Sequence, residues 1–327
     1  MTRKTQDTGR QTPEDKKSLV FPASLFCLVG PTAVGKSAVA LELSERINGE
    51  IVSCDAMQVY REVCIATDRP SDADRARIPH HLVGILSVED DFSAAQYRIL
   101  AEEAIRDIVS RGKRPVLCGG SGMYLMALLD GLFEDGGKDE GVRARLEAEA
   151  REKGAPFLHA RLEDADPAAA ARIAPNDLRR IIRALEVFET TGRPISQRQK
   201  EREGLRASYD VRGFLLERPR EDLYRRAEAR VEDMFARGLV EEVRALFGKK
   251  LSASAGRIIG VPELRAFCEG SVTMEEAKAL MKQNTRRYIK RQLTWFRRDR
   301  TLSRIMIDGG EASAETSERI LKEAGII

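Results

Sequence analysis

The chain is short of the residues that staple or metallate small folds. Among 327 residues there are five cysteines, three histidines and one tryptophan. Cys27, Cys54, Cys64, Cys118 and Cys268 form no C-x-x-C pair, and three of them lie in strand-like apolar runs. They read as reduced core thiols of a cytoplasmic protein. His80, His81 and His159 belong to no H-x-x-x-H or H-E-x-x-H pattern, so no structural zinc is expected. No apolar run approaches the ~18 residues of a membrane span, and no membrane association is expected. Charge of one sign is lacking too: 55 Lys and Arg face 52 Asp and Glu, a net of +3, so attraction to a polyanion has to come from local clustering. Residues 1–22 have no apolar stretch after a basic start, and Asp7, Glu14 and Asp15 argue against a transit peptide. A disordered N-terminal tail is expected there.

What is present is globular. A hydrophobic fraction of 42% beside 33% charged residues and a negative mean hydropathy exclude a disordered chain. At about 150 residues per domain the length predicts two domains and a core large enough to need no disulfides. Leu25 to Val29 reads as a buried strand, followed by a Gly-bounded loop and a helix over Ser37–Ile47. Further strands are predicted at Ile51–Cys54 and Pro115–Cys118, with a helix from Ser93, as N-cap, to Arg111 between them. Strands alternating with helices predict an α/β fold, a parallel sheet covered on both faces. After a polar linker, Glu134 to Asp139, the pattern from Val142 to Thr190 is helical throughout. Val211–Leu216 then returns to strand, before helices over Leu223–Phe247 and Met274–Arg298. The expected organisation is a core of 23–135 and 204–300, an all-helical insert of 136–203, and a C-terminal extension of 301–327.

Gly30-Pro31-Thr32-Ala33-Val34-Gly35-Lys36-Ser37 matches G-x-x-x-x-G-K-[ST], a pattern that average composition yields in roughly one chain of this length in a hundred. Such a loop turns successive N–H groups toward a diphosphate; Lys36 meets the charge, Ser37 offers a hydroxyl to Mg²⁺, and the helix N-terminus adds its dipole. An ATPase or kinase would usually place an acid at the end of a second buried strand. The strand ending in Cys118 runs instead into Gly119-Gly120-Ser121-Gly122, and only Asp55 ends an apolar strand. In an open α/β sheet the strand C-termini line the ligand crevice, so Asp55 and Ser121 are expected to face whatever the loop binds.

Between Lys282 and Arg300 eight basic residues face Asp299 alone. At ~100° per residue Arg286, Arg287, Lys290, Arg291, Arg297 and Arg298 fall within about 140° of arc, with Ile289, Leu293 and Phe296 on the other side. A phosphate backbone is the expected partner, with Tyr288 and Trp295 placed to stack on bases. Arg179, Arg180 and Arg183 form a second basic cluster in the helical segment.

Taken in order, the loop Gly30 to Ser37, Asp55-Ala56-Met57-Gln58-Val59-Tyr60, Pro79-His80-His81-Leu82, Gly119-Gly120-Ser121-Gly122-Met123-Tyr124, Asn176-Asp177 leading to Arg183-Ala184-Leu185-Glu186-Val187, Arg230-Val231 through Met234 to Gly238-Leu239, and Lys290 to Arg297 resemble the tRNA dimethylallyltransferase family, over roughly Leu25 to Arg298. The resemblance implies a P-loop NTPase-like core with a helical insert that clasps an anticodon stem, and Mg²⁺ as cofactor. It implies transfer of a dimethylallyl group from its diphosphate to N6 of the adenosine next to the tRNA anticodon, by a cytoplasmic enzyme expected to be a monomer. Lys36, Asp55 and Ser121 would be catalytic, with Asp55 accepting the N6 proton. The diphosphate would be held by Gly30 to Ser37 with Arg220 and Arg230. Contacts to tRNA are implied for Asp55, Ala56, Met57, Gln58, Ser121, Arg143, Arg179, Arg180, Arg183, Arg257, Lys290, Arg291, Gln292, Thr294, Trp295 and Arg297.

Five positions depart from the family pattern: Ala56 replaces Ser, Ser121 replaces Thr, Gly84 replaces Asp, and Val261-Pro262 replaces an aromatic and a cation expected to face tRNA. The alternatives are prenylation of free adenine nucleotides, a small-molecule P-loop kinase, and a non-catalytic RNA-binding P-loop protein. The helical segment and the basic arc favour tRNA over a mononucleotide.

Overall fold

The computed structural model describes residues 24–133 and 139–327; the expected N-terminal tail and most of the polar linker lie outside them. Chain order begins β1 (Ser24–Val29), α1 (Lys36–Ile47), β2 (Gly49–Cys54), α2 (Asp72–Arg77), β3 (His80–His81), α3 (Ala94–Ser110), β4 (Arg114–Gly119) and α4 (Gly122–Leu129). Helices α5 (Glu140–Lys153), α6 (Ala155–Ala165), α7 (Pro167–Ala170), α8 (Leu178–Thr191) and α9 (Ile195–Arg198) follow. Then come β5 (Asp210–Glu217), α10 (Arg220–Ala236), α11 (Leu239–Arg244), α12 (Val261–Cys268), α13 (Met274–Phe296), β6 (Ser303–Met306) and α14 (Ser313–Glu323).

Six parallel strands form one sheet in the order β3-β2-β4-β1-β5-β6. The central strands β1, β2 and β4 are largely buried and mostly apolar because helices cover both of their faces. On one face Leu25, Cys27, Val52 and Leu117 pack with α3, α4 and residues of α10 to α13; on the other Phe26, Leu28, Ile51 and Val116 pack with α1 and α14. Helix α3 starts at Ser93, whose hydroxyl accepts the Gln96 N–H while Gln96 returns to the Ser93 N–H, a capping box at the expected N-cap.

Helices α5 to α9 bury a core of their own, with Leu146, Leu158, Leu162, Ile181 and Leu185 at its centre. Within it the Glu186 carboxylate is fully buried and accepts bonds from Arg143 at 2.7 Å and Arg183 at 2.8 Å. Burial alone would raise this carboxyl, but the two arginines hold it below its ordinary value.

The segment 301–327, expected as an extension, is part of the core. β6 pairs with β5 from Phe214↔Ser303 to Glu217↔Met306, and α14 packs on α1, burying Ile320 and Leu321. Its strand escapes sequence reading because an edge strand of four residues, Ser-Arg-Ile-Met, has one buried side chain and no apolar run.

Candidate active site

Because every strand is parallel, the loops after β1, β2 and β4 meet at one edge of the sheet. The loop after β1 leads into α1, whose N-cap Gly35 supplies no side-chain cap, so the first-turn N–H groups are left for a ligand. Lys36 opens α1 and its Nζ lies 2.8 Å from the Pro31 carbonyl. Burial lowers its pKa to about 8, opposed by the nearby Cys118 and Asp55 and reinforced by Arg230. Ser37, one residue on, is exposed.

Helix α13 locks this loop to the one after β4. The buried Gln292 accepts the Thr32 N–H at 2.9 Å and donates to the Gly120 carbonyl at 3.0 Å. A Cβ on Gly120 would lie 2.2 Å from the Gln292 amide nitrogen, and one on Gly122 would lie 2.1 Å from the Trp295 ring; the glycines of this turn let α13 approach. Ser121 then joins the loops: its N–H donates to the Cys54 carbonyl and its hydroxyl accepts the Ala56 N–H at 3.0 Å. Burial pushes the nearby Tyr288 phenol up, with Ser121 opposing the shift. Asp55, just past β2, accepts the Met57 N–H at 2.9 Å.

Asp55, Thr32, Arg230, Arg257, Tyr288 and Arg291 stand on one cavity of about 260 Å³, whose remaining wall is largely apolar: Met57, Ala66, Val231, Met234, Ile258, Ile259 and Met281 among others. The end of β2, the phosphate loop at Thr32 and an apolar chamber therefore coincide.

The structure reassigns several residues singled out in the sequence. Gln292 braces the loops from inside and is not offered to RNA. The Gln58 amide donates to the Thr67 and Asp68 carbonyls while its oxygen accepts from Ser53, so it holds a turn. Arg143 and Arg183 are bound to the buried Glu186, a structural role, while Arg179 and Arg180 on the same helix are exposed, Arg180 beside Asp177 at 3.5 Å. Arg220 turns to the Tyr224 hydroxyl; the arginines that reach the phosphate loop are Arg218, on the Val34 carbonyl, and Arg226, on the Ala33 carbonyl, both at 2.8 Å. Reading by sequence missed these two because α10 and the link that leads into it from β5 meet the loop only in the fold.

The basic arc is thinner than its local sequence suggests. Arg286 pairs with Glu228, Lys282 with Glu232 and Arg297 with Glu217, acids from other elements. Arg297 also lies at the C-cap, past the helix. Lys290 and Thr294 are exposed, and the exposed Arg291 rests on the Tyr288 ring and borders the cavity. Trp295, about a third exposed, backs Gly122 on one side and lines a second cavity of about 500 Å³ with Arg206 and Arg298. Tyr288 is no free stacking platform, since it faces the first cavity. Among the departures, Val261 is buried in the core, so this position does not face tRNA, and only Pro262 is exposed, at the start of α12. Gly84 adopts φ +63° where a Cβ would meet Arg69 at 2.7 Å.

These features define a P-loop α/β protein whose phosphate cradle opens onto an apolar chamber, with an acid at the junction. The family profile described as IPP transferase matches residues 58–299. The chain belongs to the IPP transferase family. It is 48% identical over 277 residues to the tRNA dimethylallyltransferase of Geobacter sulfurreducens, covering 84% of this chain and 89% of that one. It is 42% identical to the tRNA dimethylallyltransferase of Carboxydothermus hydrogenoformans, over 92% and 97%. Among solved structures it resembles the tRNA isopentenylpyrophosphate transferase of Bacillus halodurans, with TM-score 0.69, 36% identity and coverage of 93% and 96%. It also resembles a eukaryotic dimethylallyltransferase acting on tRNA, with TM-score 0.80, 26% identity and coverage of 93% and 79%. No helix among the described residues is long and apolar enough to cross a membrane.

Proposed function

We propose that this chain is a tRNA dimethylallyltransferase, moving the five-carbon group of dimethylallyl diphosphate to N6 of the adenosine 3′ to the anticodon. The observation that carries the reading is the single cavity on which the phosphate loop, Asp55 and an apolar wall meet. A nucleotide kinase has no use for a chamber of methionine and aliphatic side chains beside its phosphates, whereas a prenyl diphosphate needs both halves.

The N–H groups at the start of α1 and Lys36 hold the diphosphate, while Arg226, anchored through its Nε on the Ala33 carbonyl, and Arg230 supply further positive charge. The prenyl group lies against Met57, Val231, Met234 and Met281. The adenine must leave its stack to enter, with Tyr288 and Arg291 at the opening. The N6 lone pair forms a bond to the allylic carbon, the carbon–oxygen bond breaks, and pyrophosphate leaves with the electron pair. Cations around the loop stabilise the growing charge on the bridging oxygen, and Asp55 takes the proton from N6. Ser121 is a positioning residue through its bonds to Ala56 and to the Cys54 carbonyl.

A Mg²⁺ ion fits the residues present in one way. Among the described residues no group of three acids, histidines or cysteines surrounds a common point, and the donor available at the loop is the Ser37 hydroxyl. That set suits an ion which takes most of its oxygens from the diphosphate and water, and when bound it neutralises phosphate charge. The reading includes a monomer working on cytoplasmic tRNA. Exposed Arg179, Arg180, Lys290 and Arg291 are the side chains available to its phosphates.

The test is incubation with unmodified tRNA, dimethylallyl diphosphate and Mg²⁺ and mass spectrometry of the digested RNA. Prenylated adenosine next to the anticodon is expected. Product on free adenine nucleotide alone, or transfer of labelled γ-phosphate from ATP, would replace this reading.

A further inference from the structure

Between Val63 and Arg69 the chain makes one tight turn. The Asp68 N–H donates to the Ile65 carbonyl and the Arg69 N–H to the Cys64 carbonyl, both at 3.0 Å. Its two ends are closed by side chains from elsewhere. At the carbonyl end, Gln58 donates to Thr67 and Asp68. At the amide end, the Glu242 carboxylate of α11 accepts three consecutive N–H groups: Cys64 at 2.7 Å and Ile65 at 2.8 Å on Oε2, and Ala66 at 2.9 Å on Oε1. No lysine or arginine pairs with Glu242 among the described residues. A half-buried carboxylate is thus balanced by backbone dipoles alone, an arrangement that fixes the backbone rather than a charge pair.

The turn matters for what it carries. Ala66 and Thr67 form part of the cavity wall, and Asp68 reaches Arg230 and Arg237, each at 3.4 Å. Arg230 stands on the same cavity and acts electrostatically on Lys36. We propose that Glu242 is a positioning residue for the prenyl donor: by holding this turn it sets the cavity wall and, through Asp68, the place of Arg230. The proposal rests on the prenyl-transfer reading. Nothing in this chain of contacts touches the exposed Arg179, Arg180 or Lys290, so its loss should be felt by the donor and not by tRNA.

The test uses the full chain, with titration of dimethylallyl diphosphate and steady-state kinetics in which donor and tRNA are varied separately. Replacing Glu242 by Ala leaves three N–H groups to water and should weaken donor binding and raise donor KM about tenfold, with tRNA KM little changed. Glu242→Gln, which keeps one carbonyl acceptor, should recover part of the loss. Asp68→Asn should give a smaller rise in donor KM and add little on top of Glu242→Ala, because both act through the same turn. Unchanged donor affinity in an active enzyme would overturn the role of Glu242 and leave the function standing. So would donor and tRNA KM rising together with a lowered unfolding midpoint, the mark of general loss of structure. A wild-type chain that neither binds the donor nor prenylates tRNA would overturn both.

Discussion

Replacement of Gln292 separates two roles that its sequence neighbourhood confuses. Its side chain is 4% exposed, and its two bonds fasten the phosphate loop, at Thr32, to the turn after β4, at Gly120. Gln292→Ala orphans both groups; at about 1–3 kcal/mol for each buried partner left unmade, part of it recovered by water, the loss should be about 2–4 kcal/mol. For a chain of this size that lowers the unfolding midpoint by about 3–6 °C. Gln292→Glu keeps the acceptor for Thr32 but turns an oxygen toward the Gly120 carbonyl and places negative charge behind the diphosphate, so donor KM should rise more than in the Ala variant. Thermal unfolding with and without dimethylallyl diphosphate, beside filter binding of tRNA, reads all three quantities. Should tRNA affinity fall in either variant while unfolding and donor KM stay at wild-type values, the side chain would be facing RNA and the brace would be refuted.

Asp55→Asn keeps the shape but removes the base, and single-turnover transfer should slow about 10²–10⁴-fold with tRNA binding retained; a near wild-type rate would remove Asp55 from proton transfer. On the exposed face, Lys290→Ala with Arg291→Ala should flatten the plot of log tRNA affinity against log salt by up to about two units, and Arg286→Ala with Arg297→Ala by less, since Glu228 and Glu217 already neutralise them. Equal flattening would show that the acids release their arginines to RNA. Far from the site, Arg111 foremost, with Lys113 and His81, holds the buried Glu50 carboxyl well below its ordinary value against the opposing effect of burial. A depressed folded pKa contributes stability above the unfolded value of about 4.3 and loses it as pH falls through the folded one, so Glu50→Gln should lower the urea midpoint at pH 7, with a gap to wild type that narrows steadily below about pH 4; a constant gap would refute the linkage.

Much of the core was legible because buried parallel strands are apolar without interruption: Leu25–Val29, Ile51–Cys54 and Pro115–Cys118 needed only their composition. The strand-loop-helix around Lys36 was legible because a diphosphate cradle leaves few choices of residue. Strand β3 is His80-His81 alone, too short and too polar to carry a period, and β6 has the same defect at the other edge. At the site, what stayed hidden was whatever depends on distant partners. Gln292 and Thr32 are 260 positions apart, and Arg218 and Val34 are 184 apart. Counting charges along one helix also cannot see that Glu217, Glu228 and Glu232 arrive from elsewhere to cancel three of them.

The pairing of β1 with β5 joins Ser24 to Asp210 and Val29 to Leu215. Ser24 is synthesised 186 residues before its partner Asp210, and helices α5 to α9, with a core of their own, emerge in the interval. For that time one side of β1 has unpaired backbone groups and the phosphate loop lacks Arg218, Arg226 and Gln292, all of which come later in the chain. The nascent protein thus passes through a stage in which helices α5 to α9 can be complete while the phosphate loop still lacks its later partners. Pairing over so long a span is slow to form, and it places the step most exposed to aggregation after the helical segment has folded and before β5 arrives.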